Sequence, residues 1–142
     1  MERLWMLTRL RGEAAEPAGN PPRTDPRATS VSLEAITADG SSVGLDSASY
    51  ENHVAFTGET TFTESGVVVF GDGDGELQIV TESDGTLGPS AEPGVLHGAV
   101  VYRITAGGGR FNGASGLITS NFLLRPESGS FEETQVAVVF VP

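Results

Sequence analysis

The chain of 142 residues contains neither cysteine nor lysine. Without cysteine it can form no disulfide, no thiolate metal site and no cysteine nucleophile. Without lysine, Schiff-base chemistry and a phosphate-binding loop of the Walker type are excluded. The two histidines, His53 and His97, lie in separate segments, and neither has a partner at metal-ligand spacing. We therefore expect no metal and no cofactor.

The charge of the chain is strongly acidic. Its eight basic residues, all arginines, face 19 acidic residues, and the net charge is -11. An acidic body repels phosphate backbones, so we expect no nucleic-acid partner. The longest apolar runs, such as 136–141, are far shorter than the ~20 residues of a membrane-spanning helix, so we expect no membrane partner. The first residues lack a signal-peptide cleavage site. Together with the absence of cysteine, this leads us to expect a cytoplasmic protein.

The first 28 residues differ in amino-acid composition from the rest of the chain. "MERLWMLTRLRG" is built from good helix formers up to Gly12, which predicts a short helix. Four prolines follow between residues 17 and 26 and predict a semi-extended linker. Two interpretations of the helix remain open. It is a frayed tail, or it is a lid that closes Trp5 and Leu7 over an apolar pocket.

From about Thr29 onward, short stretches rich in Val, Ile, Thr, Phe and Tyr alternate with glycine and aspartate clusters, at the spacing of about 8 to 12 residues that is typical of all-β domains. The candidate strands are 29–37, 42–51, 53–64, 66–71, 76–83, 98–107, 115–124 and 134–142. About eight antiparallel strands favour a closed barrel or a sandwich, because both protect strand edges. We predict an all-β fold: a single antiparallel closed β-barrel of about eight strands at 29–142, with an N-terminal helical extension at 1–28.

The stretch "GRFNGASGLITSNF", residues 109–122, imitates several enzyme motifs and fits none. It has no lysine for a Walker loop, a strand follows it where a dinucleotide fingerprint needs a helix, and Leu117 stands where a nucleophile elbow needs glycine. We interpret it as a turn in which Phe111 packs inward and Gly113 and Gly116 allow a bend.

Two acidic stretches also have a structural interpretation. "GDGDGE", residues 71–76, lacks the helix of a calcium-binding EF-hand, so a hairpin turn is favoured. The pair Glu132 and Glu133 is interpreted as an acidic turn before the last strand and not as a pair of catalytic carboxylates.

The pattern "YRITAGGGRFNGASGLITSNF", Tyr102 to Phe122, followed by an apolar strand, resembles the late strands of allene oxide cyclase-like and dirigent-like β-barrels. In that superfamily a "GGTG-x-F-x-G-A-x-G" turn joins two late strands, and here Gly108 and Gly109 replace its Gly-Thr-Gly. The chain is also similar in size to the bacterial spirotetronate (4+2) cyclases of polyketide pathways. The resemblance implies a barrel whose apolar cavity guides the cyclisation of a reactive small molecule, with an N-terminal helix as its cap.

A cyclisation of this kind needs no nucleophile. Folding the substrate into a near-attack shape contributes up to ~7 to 11 kcal/mol, and hydrogen bonds to a carbonyl add polarisation. Polar side chains on strands are the candidate catalytic residues, with Tyr102 first because its strand face is otherwise apolar; they are Tyr102, Asn121 and Tyr50. The candidate substrate-binding residues are Trp5, Leu7, Phe122 and Gln135.

Three functions remain open at this point. The first is a cofactor-independent, Diels-Alderase-like cyclase of polyketide natural-product biosynthesis that takes a small hydrophobic substrate. The second is a noncatalytic barrel that binds a hydrophobic ligand in the same cavity. The third is a barrel filled with side chains that works through contacts in a homo-oligomer.

Overall fold

The computed structural model describes residues 1–14, 19–20, 23–24, 27–37, 42–43, 47–71 and 73–142. These residues form eleven β-strands and no helix. The strands are β1 (Glu2–Glu13), β2 (Arg23–Thr24), β3 (Arg27–Thr37), β4 (Ser42–Val43), β5 (Ala48–Phe56), β6 (Thr61–Phe70), β7 (Gly75–Thr81), β8 (Gly85–Pro89), β9 (Leu96–Gly109), β10 (Ser115–Arg125) and β11 (Ser130–Val141). It follows that no described segment is a helix long and apolar enough to cross a bilayer.

The strand pairings return to their starting point. Hydrogen-bonded neighbours follow the order β5, β3, β1, β11, β10, β9, β7 and β6, and β6 pairs again with β5. The short strand β8 pairs with both β6 and β9, which closes a smaller circuit of four strands with β7. All pairings between the described strands are antiparallel. The prediction of an all-β, antiparallel, closed barrel is confirmed.

The strand limits differ from the prediction, most clearly at two places. The candidate strand 53–64 contains the turn between β5 and β6, where the backbone N–H of Thr57 donates to the carbonyl oxygen of Thr61 at 3.0 Å. Strand β8 lies in a stretch that the glycines and aspartate of "SDGTLGP" indicate to be a turn. It is short and rich in glycine and proline, so its pairing depends on its neighbours in the barrel and not on local propensity.

The predicted N-terminal helix is wrong, because residues 2–13 form strand β1. This strand pairs with β11 along its whole length and with β3 on its other side. Alternate side chains of β1 are buried, among them Leu4, Met6 and Leu10. Helix propensity is a weak preference that tertiary contacts override. Here the two flanking strands accept and donate the backbone hydrogen bonds of β1. Its apolar residues recur at every second position, so one face of the strand is buried.

The lid interpretation fails with the helix. Trp5 and Leu7 are 48% and 41% exposed on the outer face of β1, opposite Val138 and Val136 of β11. Side chains on that face point away from the barrel interior. Neither residue closes over an interior pocket.

One half of the barrel interior is packed solid. We call it the filled half and define it by inward side chains that are at most 4% exposed; they are Leu4, Met6, Phe70, Leu77, Ile79, Ile104, Phe111, Ile118 and Val139. The rings of Phe70 and Phe111 lie 5.1 Å apart between centroids. Phe111 comes from the turn between β9 and β10 and is fully buried, as the glycine-rich stretch predicted.

The other half of the interior is hollow. Its apolar inward side chains surround a cavity and define the hollow half; they are Val54, Phe56, Phe62, Leu87, Phe122, Leu124 and Phe131. Most of them are only partly buried, although they pack against the core. Strands β5, β6, β10 and β11 pass through both halves, and each of them carries inward apolar residues toward its two ends and an inward polar residue between them.

Candidate functional site

Seven polar side chains meet inside the barrel, between the filled half and the hollow half. We call them the carboxyl–tyrosine cluster; they are Tyr50 and Asn52 of β5, Glu64 of β6, Tyr102 of β9, Ser120 of β10, and Glu133 and Gln135 of β11. Each is at most 8% exposed. The alternation of strand side chains turns all of them inward. On β11, for example, Phe131 and Val139 share the inward face with Glu133.

Glu64 accepts hydrogen bonds from two tyrosines. Its Oε2 atom receives the hydroxyl of Tyr50 at 2.5 Å and also the hydroxyl of Tyr102. The side chain of Asn52 provides a third hydrogen bond. Donors of this kind stabilise the ionised form of a carboxyl.

A glycine on the neighbouring strand makes room for this arrangement. Gly66 pairs with Asn52 across β5 and β6. A Cβ atom at Gly66 would lie 2.8 Å from the ring of Tyr50 and 2.9 Å from the Cβ atom of Asn52. Glycine is therefore needed at position 66 for the cluster to keep its geometry.

Glu133 is the second carboxyl of the cluster. Its Oε1 atom accepts hydrogen bonds from the Ser120 hydroxyl at 2.5 Å and from the Gln135 amide at 3.2 Å. The hydroxyl of Tyr102 lies 3.5 Å from the same atom. Tyr102 therefore stands between the two carboxyls, and its single proton is directed mainly to Glu64.

Burial makes both carboxyls weaker acids. Desolvation and the charge of Glu133 raise the pKa of Glu64 to about 7, against hydrogen bonds from Tyr102, Tyr50 and Asn52 that lower it. Desolvation also raises the pKa of Glu133, against hydrogen bonds from Ser120, Gln135 and Tyr102. Two close carboxyls that cannot both ionise freely titrate as a pair. Near neutral pH the Glu64 carboxyl is therefore partly protonated.

The two tyrosines remain neutral donors. Burial, followed by the negative charges around them, raises the pKa of Tyr50 and of Tyr102 well above the ordinary value of 10.0. Each hydroxyl keeps its proton through the physiological range and donates it to Glu64 in a hydrogen bond.

The cavity of the hollow half has a volume of about 330 Å³. Glu64, Tyr102, Glu133 and Asn52 form its inner, buried end, while its rim includes the exposed turn residues 126–128 between β10 and β11. Its wall is apolar, and no arginine or histidine is among the described residues that line it. A pocket of this size is at the lower end of the range for small-molecule sites.

Aromatic rings shape the wall of the cavity. Phe62 and Phe122 meet edge to face, with centroids 5.9 Å apart. The ring of Phe122 lies so close over Gly98 of β9 that a Cβ atom there would overlap it. The absence of a side chain at Gly98 therefore lets Phe122 lie back against the sheet and leaves the cavity open.

The sequence-predicted site residues divide into three groups. Tyr102 and Phe122 line the cavity, while Tyr50 and Gln135 are buried in the carboxyl–tyrosine cluster behind it. Asn121 lies on the outer face of β10, where its Oδ1 atom is 3.3 Å from Nε2 of His97. Asn121, Trp5 and Leu7 therefore do not reach the cavity, because each precedes or follows an inward residue of its strand by one position.

Sequence reasoning missed the two carboxyls. The interpretation of Glu133 as part of an acidic turn is wrong, because Glu133 lies inside β11 and is 6% exposed, whereas Glu132 points outward. Glu64 was included in a candidate strand without a role. The signal that could have identified both is an acidic residue on the apolar face of an alternating strand, as in "FEETQVAVV".

No metal site is evident in the part of the chain that the structure describes, where no three His, Cys, Asp or Glu side chains are placed to hold an ion. The carboxyl–tyrosine cluster contributes only two carboxyls, and these are bonded to hydroxyl and amide donors. The chemistry available from these side chains is proton transfer and hydrogen bonding.

The fold and the cavity define a class, namely closed antiparallel barrels with an apolar cavity at one end. The solved structure of the pterocarpan synthase dirigent protein GePTS1 is similar to this chain, with a TM-score of 0.53, 13% identity, and coverage of 97% of this chain and 89% of that chain. No protein-family model and no curated protein sequence matches the chain. At this identity the likeness concerns the fold alone, and it agrees with the barrel that the turn at 102–122 indicates.

Proposed function

We propose that this protein is a cofactor-independent cyclase that acts on a small hydrophobic precursor of a natural product. One observation carries the proposal: Glu64, whose pKa is about 7, stands at the buried end of an apolar cavity. A desolvated carboxyl that titrates near neutral pH is suited to donate and accept protons at a bound substrate.

The two parts of the site have separate tasks in this proposal. The apolar wall, with Phe62 and Phe122, folds a linear substrate so that its reacting ends meet, which is the main requirement of an intramolecular ring closure. Protonated Glu64 donates a hydrogen bond to a substrate carbonyl and draws electrons toward that oxygen. Tyr102 holds the Glu64 carboxyl in place through its hydrogen bond, and the charge of Glu133 raises the pKa of Glu64.

The finer form of the proposal is a (4+2) cyclisation in polyketide biosynthesis. In that reaction the diene and the dienophile form two carbon–carbon bonds without net proton transfer, so a hydrogen bond from Glu64 to the dienophile carbonyl is sufficient. The resemblance to spirotetronate cyclases and the apolar wall support this form. The structural neighbour is named a pterocarpan synthase and a dirigent protein, and this supports a natural-product role for a barrel of this shape.

A noncatalytic binding barrel is the second candidate. It is favoured by the hydrogen bonds within the carboxyl–tyrosine cluster, since Glu133 is satisfied by Ser120 and Gln135 without any ligand. In that case the cavity would hold a hydrophobic ligand and leave it unchanged.

The test is the cyclisation of 1,7,9-decatrien-3-one, a linear molecule with a diene and an enone. We expect the protein to accelerate it and Glu64→Gln to reduce the acceleration by about tenfold or more, because an amide N–H is a weaker donor to the substrate carbonyl than a carboxylic acid O–H. Because the protonated carboxyl is the active form, we expect the rate to fall as the pH rises through about 7. Glu132→Gln, on the outward neighbour of Glu133, is the matched control and should keep the full rate.

The two tyrosines sharpen the test. Both donate to Oε2 of Glu64, but only Tyr102 lines the cavity. Each Tyr→Phe variant should raise the pKa of Glu64, because it removes a bond that favours the ionised form. Only Tyr102→Phe should also lower the maximal rate. If the triene binds without being accelerated, the second candidate is established. If the triene does not bind and is not accelerated, both candidates are refuted.

A further inference from the structure

The Asn52 side chain contains a buried acceptor that the protein does not use. Among the described residues, its Oδ1 atom is the one buried side-chain nitrogen or oxygen without a hydrogen-bond partner. Asn52 is 6% exposed and lines the cavity. Buried polar atoms in proteins are almost always hydrogen-bonded, so an unpartnered atom at the inner end of a cavity indicates a place for a ligand atom.

The hydrogen bond to Glu64 fixes which way the amide points. The Asn52 side chain forms a hydrogen bond that lowers the pKa of Glu64, and only its N–H₂ group can donate to a carboxylate. When Glu64 is ionised, the opposite orientation would place two acceptors, the amide oxygen and the carboxylate oxygen, against each other. In the structure it is Oδ1 of Asn52 that has no partner. The free atom is therefore the oxygen, and it needs a donor.

We propose that Asn52 is a specificity-determining residue that selects substrates carrying a neutral hydroxyl group, which donates its hydrogen bond to Oδ1 of Asn52 at the inner end of the cavity. The inference rests on the proposed function and adds the substrate class to it. A hydroxyl provides the single donor that a single free acceptor requires. A cationic donor would bind the carboxyls of Glu64 and Glu133 in preference to a neutral amide oxygen.

The hydroxyl also has a defined place relative to the chemistry. The Asn52 amide contacts Glu64 through its nitrogen, so a group bound at its oxygen lies beside the carboxyl that we assign to the reaction. The apolar remainder of the substrate then extends along Val54 and Phe56 of β5, which follow Asn52 toward the rim. The hydroxyl thus marks the end of the substrate that enters first.

The experiment compares two probes of equal shape, 2-naphthol and 2-methylnaphthalene, by titration of their fluorescence with the purified protein. We expect the wild-type protein to bind 2-naphthol about tenfold more tightly, because the methyl analogue leaves a buried acceptor unpaired. Asn52→Leu, which keeps the branched shape of the side chain without its polar atoms, should reduce this preference to about twofold or less. Asn112→Leu makes the same change at an exposed turn residue and should keep the preference.

A second measurement separates the amide from the carboxyls. Glu64, Glu133 and Tyr102 line the same end of the cavity, with Tyr50 behind them, and Glu64 changes charge between about pH 5.5 and about pH 8. A preference set by the Asn52 amide should persist at both values. A preference that exists only at the higher pH would assign the hydroxyl to a carboxylate and overturn the inference.

The remaining outcomes are also decisive. Equal affinity of the wild-type protein for both probes overturns the inference and leaves the proposed function standing, and this comparison requires no variant to fold. A hydroxyl preference that survives in Asn52→Leu, or in Asn52→Ala should the leucine variant not fold, overturns it as well. If neither probe binds, the cavity itself is not a ligand site, and the proposed function fails together with the inference.

Discussion

The filled half and the hollow half of the barrel are built from the same strands but packed in opposite ways. In the filled half, Phe70 and Phe111 are at most 2% exposed and their rings lie 5.1 Å apart. In the hollow half, Phe62 and Phe122 lie 5.9 Å apart beside a cavity of about 330 Å³. In both halves, the alternation of side chains along each strand turns every second residue toward the interior. The difference shows that one half provides the packing that stabilises the barrel, which allows the other half to remain open.

The largest expected effect follows from truncating one phenylalanine in each half. Phe70→Ala removes a fully buried ring and should lower the free energy of unfolding by about 3–5 kcal/mol. Phe122→Ala removes a half-buried ring that already borders a cavity, so we expect a loss of about 1–2 kcal/mol. Urea denaturation of both variants measures the difference. Equal losses would show that the two halves contribute equally to stability.

The second effect is a dependence of the free energy of unfolding on pH. It is caused by Glu64, which belongs to the carboxyl–tyrosine cluster between the two halves. The pKa of Glu64 is raised from 4.5 to about 7 in the folded protein, so the folded state holds this proton more tightly than the unfolded chain. The contribution of Glu64 to stability is therefore complete below the unfolded pKa and is lost as the pH rises toward 7, by up to about 3 kcal/mol. Denaturation of the wild-type protein at several pH values within this window measures the decline.

Glu64→Gln isolates the contribution of this one carboxyl. The variant cannot ionise at position 64, so its stability should decline less over the same pH window. Glu132→Gln changes an outward-facing carboxyl of β11 by the same substitution and should decline as the wild-type protein does. Parallel curves for the wild-type protein and Glu64→Gln would contradict the assigned proton affinity of Glu64.

The smallest expected effect concerns the size of the cavity. Gly98→Ala places a methyl group against the ring of Phe122 and should push that ring into the hollow half, lowering affinity for a naphthalene probe by about tenfold and stability by about 1 kcal/mol. Gly88→Ala is the matched control, since a Cβ atom at Gly88 has no neighbour within 4 Å. Unchanged affinity in Gly98→Ala would mean that Phe122 does not set the shape of the cavity.

Much of the barrel could be predicted from the sequence because strands with one buried face repeat apolar residues at every second position. The strand around Tyr102 has this pattern, and so does the last strand. The first strand also has it, with Leu4, Met6 and Leu10 on one face, but its leucine, methionine and arginine content favours a helix in isolation. The pairing with β11 and β3 decides the outcome, and such long-range pairings cannot be deduced from a local window.

The site was harder to predict than the fold. Tyr50, Tyr102 and Gln135 could be selected as polar residues on strands, but the assignment of an inward or outward direction depends on a register that changes with a one-residue shift. Asn121 illustrates this, because its neighbours Ser120 and Phe122 are the inward residues. Glu64 and Glu133 acquire their role only by being buried together, and burial results from closure of the whole barrel.

The position of β1 has a consequence for how the protein is made. Strand β1 is hydrogen-bonded along its entire length to β11, and almost all of the described chain lies between them in sequence. While a ribosome is still synthesising residues 130–141, β1 has only one of its two neighbours. The nascent barrel is therefore an open sheet with an unpaired edge until synthesis reaches that segment, and its closure is a slow, long-range step.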